Sequence, residues 1–355
     1  MRTGRQGRLF SLCAAQTQAP RARLEANKVY LIRTGTTDPA YNLAAEEYLL
    51  RHRREDIFYL WRNAPSIIIG KNQNAYSEID VDYVREHGIK VVRRLTGGGA
   101  VFHDLGNINF TFIATQKEAG ADVSFERFTR PVIEFLRSLG LDAAFSGRND
   151  IQVSGYKISG NAQTRCGDRF MHHGTLLFGA NMTDLSRALT VHPLKIQGKS
   201  IRSVRARVAN ISEFLAEPME VTAFMDKLLA FVEAQYPDGE AYAFTEADRT
   251  AIARLCEEKY AQWSWNFGEN PAYSFQKTAK FDGGLIEVRM DIEGERIARI
   301  RIAGDFFGVA EMSELEAALT GVRHEQESIR AALAGVDLAA YLGGITAEQL
   351  LQTMF

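Results

Sequence analysis

Arg93-Arg94-Leu95-Thr96-Gly97-Gly98-Gly99-Ala100-Val101-Phe102-His103-Asp104-Leu105-Gly106-Asn107 is the stretch on which the reading of this 355-residue chain turns. Lys90–Arg94 and Val101–Phe102 read as strands bracketing the triple glycine. Asn107–Ala114, with Ile108, Phe110 and Phe112 alternating, reads as a third. Three glycines directly after a strand let a backbone approach a ligand with no Cβ in the way, and their amides can form an anion-binding concavity. Arg93 and Arg94 supply guanidinium groups suited to a carboxylate or phosphate. The loop is not a Walker A loop, because no Gly-Lys-Ser/Thr follows, nor is it Gly-x-Gly-x-x-Gly opening a helix. A plain glycine-rich hairpin turn carries the same residues, so the segment does not decide its own chemistry.

Working outward, Val29–Ile32 reads as a strand, Thr36–Asp38 with Pro39 as a turn and cap, and Tyr41–His52 as an amphipathic helix. Ile57–Trp61 and Ser66–Gly70 read as two strands joined by a turn at Asn63–Pro65. Beyond the glycines, Phe125–Leu139 has helical periodicity and stops at Gly140. Asn149–Val153 and Lys157–Ile158 flank a Ser154-Gly155 turn, and Gly174–Phe178 is a further strand. Helices interleave with strands joined by tight turns, which favours a mixed α/β (α+β) fold with a mostly antiparallel sheet over a doubly wound parallel one. Pro237-Asp238-Gly239 breaks the pattern, and a charged helix then runs to about Lys259. Leu285–Asp291 and Arg296–Arg301 read as a hairpin around Glu293-Gly294, followed by helices at Met312–Leu319, His324–Leu333 and Thr346–Met354. The expected division is a basic extension over 1–28, a first domain over 29–245 and a small α+β domain over 246–355.

A hydrophobic fraction of 46% with 24% charged residues fits a globular protein with a core of useful size. The formal net charge of −2 leaves no electrostatic footprint for nucleic acid or an anionic membrane. No stretch approaches the roughly 18 to 20 apolar residues of a spanning helix. Cys13, Cys166 and Cys256 are scattered, with neither metal-ligand spacing nor a disulfide framework, which fits a reducing compartment. The first 28 residues are arginine-rich with no acidic residue before Glu25, the composition of a mitochondrial transit peptide and equally of a disordered basic tail. The expected compartment is the cytoplasm, or the mitochondrial matrix if that stretch is a targeting signal.

Two more segments carry chemistry. The first is Gly147-Arg148-Asn149-Asp150-Ile151 with Gly155-Tyr156-Lys157-Ile158-Ser159-Gly160-Asn161-Ala162-Gln163. A lysine among apolar neighbours and glycine turns needs an anionic partner when buried, although a lone lysine is more often a solvated one. Asn149 and Asp150 supply metal-facing or ribose-facing groups. The second runs from His172-His173-Gly174-Thr175 to the basic Lys195–Arg207 run and Asn210. Adjacent histidines on a strand face opposite sides and make a poor metal pair. The basic run is either a solvated loop or a lid over phosphate.

In this order and spacing, the three segments resemble the lipoate–protein ligase A family. Asn42, Leu43, Ala44 and Glu46 look like that family's N-terminal helix. Trp265-Asn266-Phe267-Gly268, preceded by Trp263, looks like the opening of its accessory C-terminal domain. The resemblance covers about Val29 to the C-terminus. It implies a biotin/lipoate ligase-like catalytic domain and an ATP-dependent ligase that forms lipoyl-AMP, releases pyrophosphate and transfers the lipoyl group to a carrier lysine. Lys157 is by implication the catalytic lysine. Arg94, Gly99, Ala100, Val101, Phe102, Asn149 and Asp150 would bind ATP and the adenylate, with Asp150 on the Mg²⁺ side. Gly97, Gly98 and His103 would bind lipoate, with Lys157 again at its carbonyl. Lys199, Ser203 and Arg205 would belong to a loop covering the adenylate. Val101, Phe102 and strand residues near Phe110 are candidates for an apolar acyl tunnel, and core packing explains the same residues. The implied partners are lipoyl domains of 2-oxoacid dehydrogenase E2 subunits and the glycine cleavage H protein. Rival readings are a lipoyl or octanoyl transferase of the same superfamily, which uses a cysteine and no ATP, a biotin–protein ligase, and a non-catalytic binding protein. Cys166, beside Gly167 and Asp168 in an expected turn, reads as incidental.

Overall fold

The computed structural model describes residues 28–73, 75–79, 81–115, 124–183, 187, 189, 208–267, 275–293 and 295–355. The basic N-terminal stretch, Gly268, Gly294 and the Lys195–Arg207 run with Lys199, Ser203 and Arg205 lie outside the described residues. No helix among the described residues is long and apolar enough to cross a membrane.

In chain order come β1 (Val29–Arg33), α1 (Pro39–His52), β2 (Asp56–Trp61), β3 (Ser66–Ile69), α2 (Ala75–Glu78), α3 (Val81–Glu86), β4 (Lys90–Arg93), β5 (Val101–His103) and β6 (Asn107–Thr115). Next are α4 (Phe125–Ser138), β7 (Ala143–Ser146), β8 (Asp150–Val153), β9 (Tyr156–Cys166), β10 (Arg169–Leu177), α5 (Val221–Gln235), β11 (Gly239–Ala241), α6 (Glu246–Leu255) and α7 (Trp263–Asn266). Then β12 (Phe275–Phe281), β13 (Gly284–Glu293), β14 (Arg296–Gly304), α8 (Met312–Leu319), α9 (Gln326–Leu333), α10 (Leu338–Leu342) and α11 (Ala347–Met354) complete the chain.

The main sheet has eight strands in the order β11-β1-β2-β6-β10-β9-β8-β7. β1 runs parallel to β11 and β2, and every other pairing is antiparallel. All six residues of β2 are buried because both faces of the sheet are covered. Phe58 and Leu60, with Phe110 and Phe112, pack under Val132, Phe135 and Leu136 of α4 and Phe224 and Leu228 of α5. Ile57, Tyr59 and Trp61 point the other way, towards Leu43, Ala44 and Leu49 of α1. That alternation is the period of two expected of a pleated strand.

Local chemistry sets the ends of these elements. Asp38 caps α1, accepting from the amides of Ala40 (2.8 Å) and Tyr41 (3.3 Å), with Pro39 in the first turn where its missing N–H costs nothing. Ser124 caps α4, which stops before Gly140 at φ +82°. Ser154 (φ +50°) and Gly155 (φ +83°) make the tight turn that joins β8 to β9 and sets Lys157 near the start of its strand.

The two strands flanking the Asn63–Pro65 turn are both present, but they lie in different sheets: β3 belongs to a second sheet, parallel to β4 and antiparallel to β5. Ile67 and Ile69 face Phe102, Ile79 and Val84, while Ile68 faces the core below α1. The Asn63–Pro65 turn therefore carries the chain from one layer to the next, leaving a gap between the sheets. The expected C-terminal hairpin is β13–β14, and β12 extends it to three antiparallel strands. Helices α8, α9 and α11 cover that sheet around a separate core of Ile286, Val288, Ile300, Leu315 and Leu350.

The segment between the two cores folds back on the first. β11 closes the β1 edge, and Ile252 of α6 and Tyr260 enter the core below α1. Tyr260 Oη and Lys259 Nζ both reach Glu47 (2.8 and 2.7 Å).

Candidate active site

The floor of the gap is a row of cross-strand partners. Trp61 on β2 stands opposite Asn109 on β6, which stands opposite Thr175 on β10. Thr175 Oγ1 accepts the Gly160 amide of β9 at 3.2 Å. Two residues along, Tyr59, Thr111 and His173 form a second row on the same face. Ile68, Val101 and His103 of the small sheet form the roof. Between floor and roof is a cavity of about 180 Å³ whose lining includes Leu43, Trp61, Arg94, Gly98, Lys157 and Phe307.

The glycine loop forms one wall, and its glycines serve different ends. A Cβ on Gly97 would lie 2.5 Å from the carbonyl oxygen of Phe306. Gly98, at φ +91°, donates its amide to that oxygen (3.3 Å), and a Cβ there would meet the Phe307 ring at 2.8 Å. Gly99 has open space where a Cβ would be. Two of the three glycines thus admit the C-terminal Phe306-Phe307 corner, and Phe307 from that corner lines the cavity.

Arg94 is buried, and its guanidinium donates to Thr96 Oγ1 and to the carbonyls of Ile68, Gly97 and Gly99 at 2.7 to 3.0 Å. It shapes the loop from inside while one side faces the cavity. Arg93 holds the carbonyls of Gly70, Lys71, Gln73, Trp265 and Asn266. Trp265 Nε1 and Asn266 Oδ1 in turn bind the Arg93 backbone (both 2.9 Å). The Trp265–Phe267 segment is therefore a clamp on the strand leading into the glycine loop. Burial pulls both guanidinium pKa values down to about 10, which leaves them cationic at neutral pH.

Lys157 lies across the far end of the floor. Its Nζ is 3.4 Å from where a Cβ on Gly160 would stand, and it pairs with Asp150 Oδ1 at 2.7 Å. The glycine provides the channel in which the lysine lies. The side chain is 38% exposed, so the ammonium sits at the mouth and not in the interior. Asn149, next to Asp150, exchanges amide–carbonyl hydrogen bonds with Asn161 (2.7 and 2.9 Å), which fixes β8 beside β9. Val208 bridges to Lys157, and the Ala209 amide donates to the Lys157 carbonyl (3.2 Å). Val208 and Ala209 are thereby anchored on the lysine itself.

Deeper in, Glu46 receives Thr111 Oγ1 (2.5 Å) and meets His173 Nδ1 (2.9 Å), whose Nε2 meets Thr96 Oγ1 (2.8 Å). This buried chain connects α1 to the glycine loop through Arg94. His172 faces the opposite side, stacked on Phe128 and bonded to Asn161 and Gln163, so the two histidines do diverge. His103 is buried on the roof. Burial, then the charges of Arg94 and His173, hold its pKa at about 3, so the ring is neutral.

The structure brings together Arg94, Gly98, Gly99, Ala100, Val101, His103, Asn149 and Lys157 around one cavity, with Asp150 on the lysine and Gly97 behind the wall. Phe102 and Phe110 point away from it, Phe102 into the core under α2 and α3 and Phe110 towards α4. Cys166 ends β9, nine residues from Lys157 and so roughly 30 Å along an extended strand. Phe307 and Asn109 also line the cavity, and residue type alone does not single them out. The signals present were paired aromatics before Gly308, and asparagines alternating with apolar residues through Asn107–Phe112.

A family model described as the lipoyl protein ligase A/B catalytic domain matches residues 38–233, and one described as the bacterial lipoate protein ligase C-terminus matches residues 270–354. The chain is 42% identical over 327 residues to lipoate–protein ligase 1 of Staphylococcus aureus, covering 92% of this chain and 99% of that one. The crystal structure of P. falciparum LipL1 in complex with lipoate superposes with a TM-score of 0.76 at 26% identity, covering 92% and 99%. A lipoate-protein ligase A bound with ATP superposes with a TM-score of 0.58 at 29% identity, covering 68% of this chain and 98% of that one.

Proposed function

The chain belongs to the lipoate–protein ligase family, a family of ligases, and from that premise we propose that it joins lipoate to ATP as lipoyl-AMP and then passes the lipoyl group to a carrier lysine. The observation that carries this reading is Lys157, an ammonium laid across Gly160 at the mouth of a cavity with apolar walls. The lipoate carboxylate attacks the α-phosphorus, the bond to the pyrophosphate oxygen breaks, and pyrophosphate leaves. Lys157 stabilises the negative charge that builds on the α-phosphoryl oxygens. In the second half-reaction the carrier amine attacks the mixed-anhydride carbonyl, polarised by the same ammonium, and AMP departs with the bonding pair. Arg94 keeps the loop carbonyls turned inward, so that Gly99, Ala100 and Val101 present their backbone to the adenylate. Lys199, Ser203 and Arg205, which precede Val208 in sequence, are the proposed cover that excludes water from the activated acyl group.

The donor set fits Mg²⁺ held largely by substrate. Among the described residues no group of three or more metal-ligating side chains exists, and a Mg²⁺ that keeps waters and phosphate oxygens needs only one or two carboxylates. Asp150 would hold it there, and the ion would neutralise phosphate charge. The proposed carriers are lipoyl domains of E2 subunits and the H protein, acting in the cytoplasm. The two separate apolar cores support a catalytic and an accessory domain. A cysteine transferase is disfavoured by the distance between Cys166 and Lys157.

The test is lipoate-dependent pyrophosphate release from ATP and Mg²⁺, with and without an apo lipoyl domain. Release with lipoate alone, then carrier modification, is expected. Lys157→Ala should lower release by at least 100-fold, as loss of one preorganised charge stabiliser does. Wild-type release by that variant, or carrier modification without ATP, would overturn the reading.

A further inference from the structure

Lys157 is one point on a rim that runs along a whole end of the main sheet. Followed outward from Trp61, Asn109, Thr175 and Gly160, the chain reaches Arg62, Leu105, Gly179 and Tyr156 at that end of β2, β6, β10 and β9. Backbone hydrogen bonds tie the rim together. The amides of Phe178 and Gly179 donate to the Gly106 carbonyl (3.1 and 2.9 Å), and the Ser212 amide donates to the Phe178 carbonyl (3.0 Å). Arg33 ends β1, one strand beyond Arg62. Leu105 and Tyr156 stand out from the rim at 48% and 43% exposure, although both are large and mainly apolar.

At the β1–β2 end of the rim is a second cavity, of about 250 Å³, lined by Arg33, residues 34–37, Arg62 and Met225 of α5. Its charge is positive. Arg33 pairs with Asp226 of α5, whereas Arg62 donates to the Leu105 carbonyl (2.9 Å) and has no carboxylate partner among the described residues. Burial, then the charge of Arg33, draws the Arg62 pKa down, so two guanidinium groups face one carboxylate. The neighbouring Asp104 is already occupied, accepting the amides of Gly106 (2.8 Å) and Asn181 (2.7 Å). Gly35 leaves open space where a Cβ would stand. A cationic cleft continuous with exposed apolar groups suits an acidic protein surface, whose carboxylates match the guanidinium forks. Continuity with the mouth identifies that protein. The acyl group leaves the site onto an amine brought to Lys157, so the body that bears the amine comes to rest on this rim. Arg62 and Arg33 lie three and four strands from β9, hence roughly 14 and 19 Å from Lys157 across the sheet. An interface of about 800 Å² per partner is roughly 30 Å across and reaches both.

We infer that the Arg33–Arg62 cleft is a docking exosite for the carrier domain. It receives acidic side chains that the carrier bears roughly 14 to 19 Å from its acceptor lysine, with Leu105 and Tyr156 as apolar contacts between cleft and mouth. This rests on the reading that the site passes a lipoyl group to a carrier lysine.

The experiment measures the two half-reactions separately in the full chain, with an apo lipoyl domain as the carrier probe. Arg62→Gln and Arg33→Gln should each raise the carrier KM about fivefold, the worth of one solvent-accessible charge pair. Carrier-free pyrophosphate release, and kcat at saturating carrier, should stay within about twofold of wild type. Arg62→Glu should raise the carrier KM at least tenfold by opposing like charges, and Arg62→Lys should keep most of the affinity. In the wild-type protein the carrier KM should rise with ionic strength, and the double Gln variant should flatten that dependence. An unchanged carrier KM in Arg62→Glu, or a wild-type KM indifferent to salt, overturns the exosite and leaves the ligase reading standing. A matching loss of carrier-free release in the variants also overturns it, since the arginines then serve the fold. Absence of lipoate-dependent release from the wild-type protein overturns the ligase reading, and the exosite with it.

Discussion

Gly98 is one of the places where the two halves of the molecule meet, donating its amide to Phe306 and lying against the Phe307 ring. An alanine there faces both a left-handed backbone and a Phe307 ring 2.8 Å from its Cβ. Gly98→Ala should therefore lower lipoate-dependent pyrophosphate release more than transfer from supplied lipoyl-AMP, by about tenfold at 1.4 kcal/mol of strain. Phe307→Ala added to it should restore only part of the loss, since it removes the ring and not the strain. Equal loss in both assays would show that the loop serves the ligand and not the junction. At this scale the sequence speaks through residue type. A lysine between glycine turns and three consecutive glycines announce a site, and Lys157 and the loop do converge. Direction is another matter. Nothing in Arg93-Arg94 tells a reader that both guanidinium groups turn inward onto backbone carbonyls, because that choice is made by strands brought in from elsewhere. Asn109 escapes notice for a related reason: an asparagine in a strand looks polar, and only the pairing shows it buried.

Among the elements, α6 is attached by one carboxylate. Tyr48, Tyr242, Arg53 and Thr245 all converge on Asp248, which also completes the capping box of the helix. Burial pushes the Asp248 carboxyl up, but hydrogen bonds from Tyr242, Tyr48 and Thr245 outweigh it and hold it well below the usual carboxylate range. A depressed folded-state pKa stabilises above the unfolded value, here 3.8, and that stability is lost as pH falls through the folded one. Asp248→Asn should cost about 2 kcal/mol at pH 7, and the gap in thermal midpoint between variant and wild type should narrow progressively as pH falls below about 4. A pH-independent gap would assign the effect to packing. Helices and long strands were readable from periodicity. The placing of β2 and β3 in different sheets was not, because a short turn between two apolar runs looks the same whether it reverses a strand within one sheet or passes it to another.

For the molecule as a whole, the chain closes on itself out of order. A protein ending at Tyr236 lacks β11, α6 and the Trp265–Asn266 clamp, whereas one ending at Phe267 keeps all three. The shorter form should be insoluble or melt well below the longer one. The longer form should lose lipoate activation but accept supplied lipoyl-AMP. Equal melting of the two would show that the returning segment adds nothing to the first core. Length and the break at Pro237-Asp238-Gly239 suggest two units, but the return of 239–267 to the N-terminal half is hidden, since sequence distance says nothing about which edge a late strand will cover. That return also has a consequence during synthesis. Until residues 237 to 267 have left the ribosome, roughly 2 to 6 s of elongation, the hydrogen-bonding edge of β1 stays open on an otherwise assembled sheet. The nascent chain is then most exposed to other unfinished copies of itself, and to any chaperone that binds extended backbone.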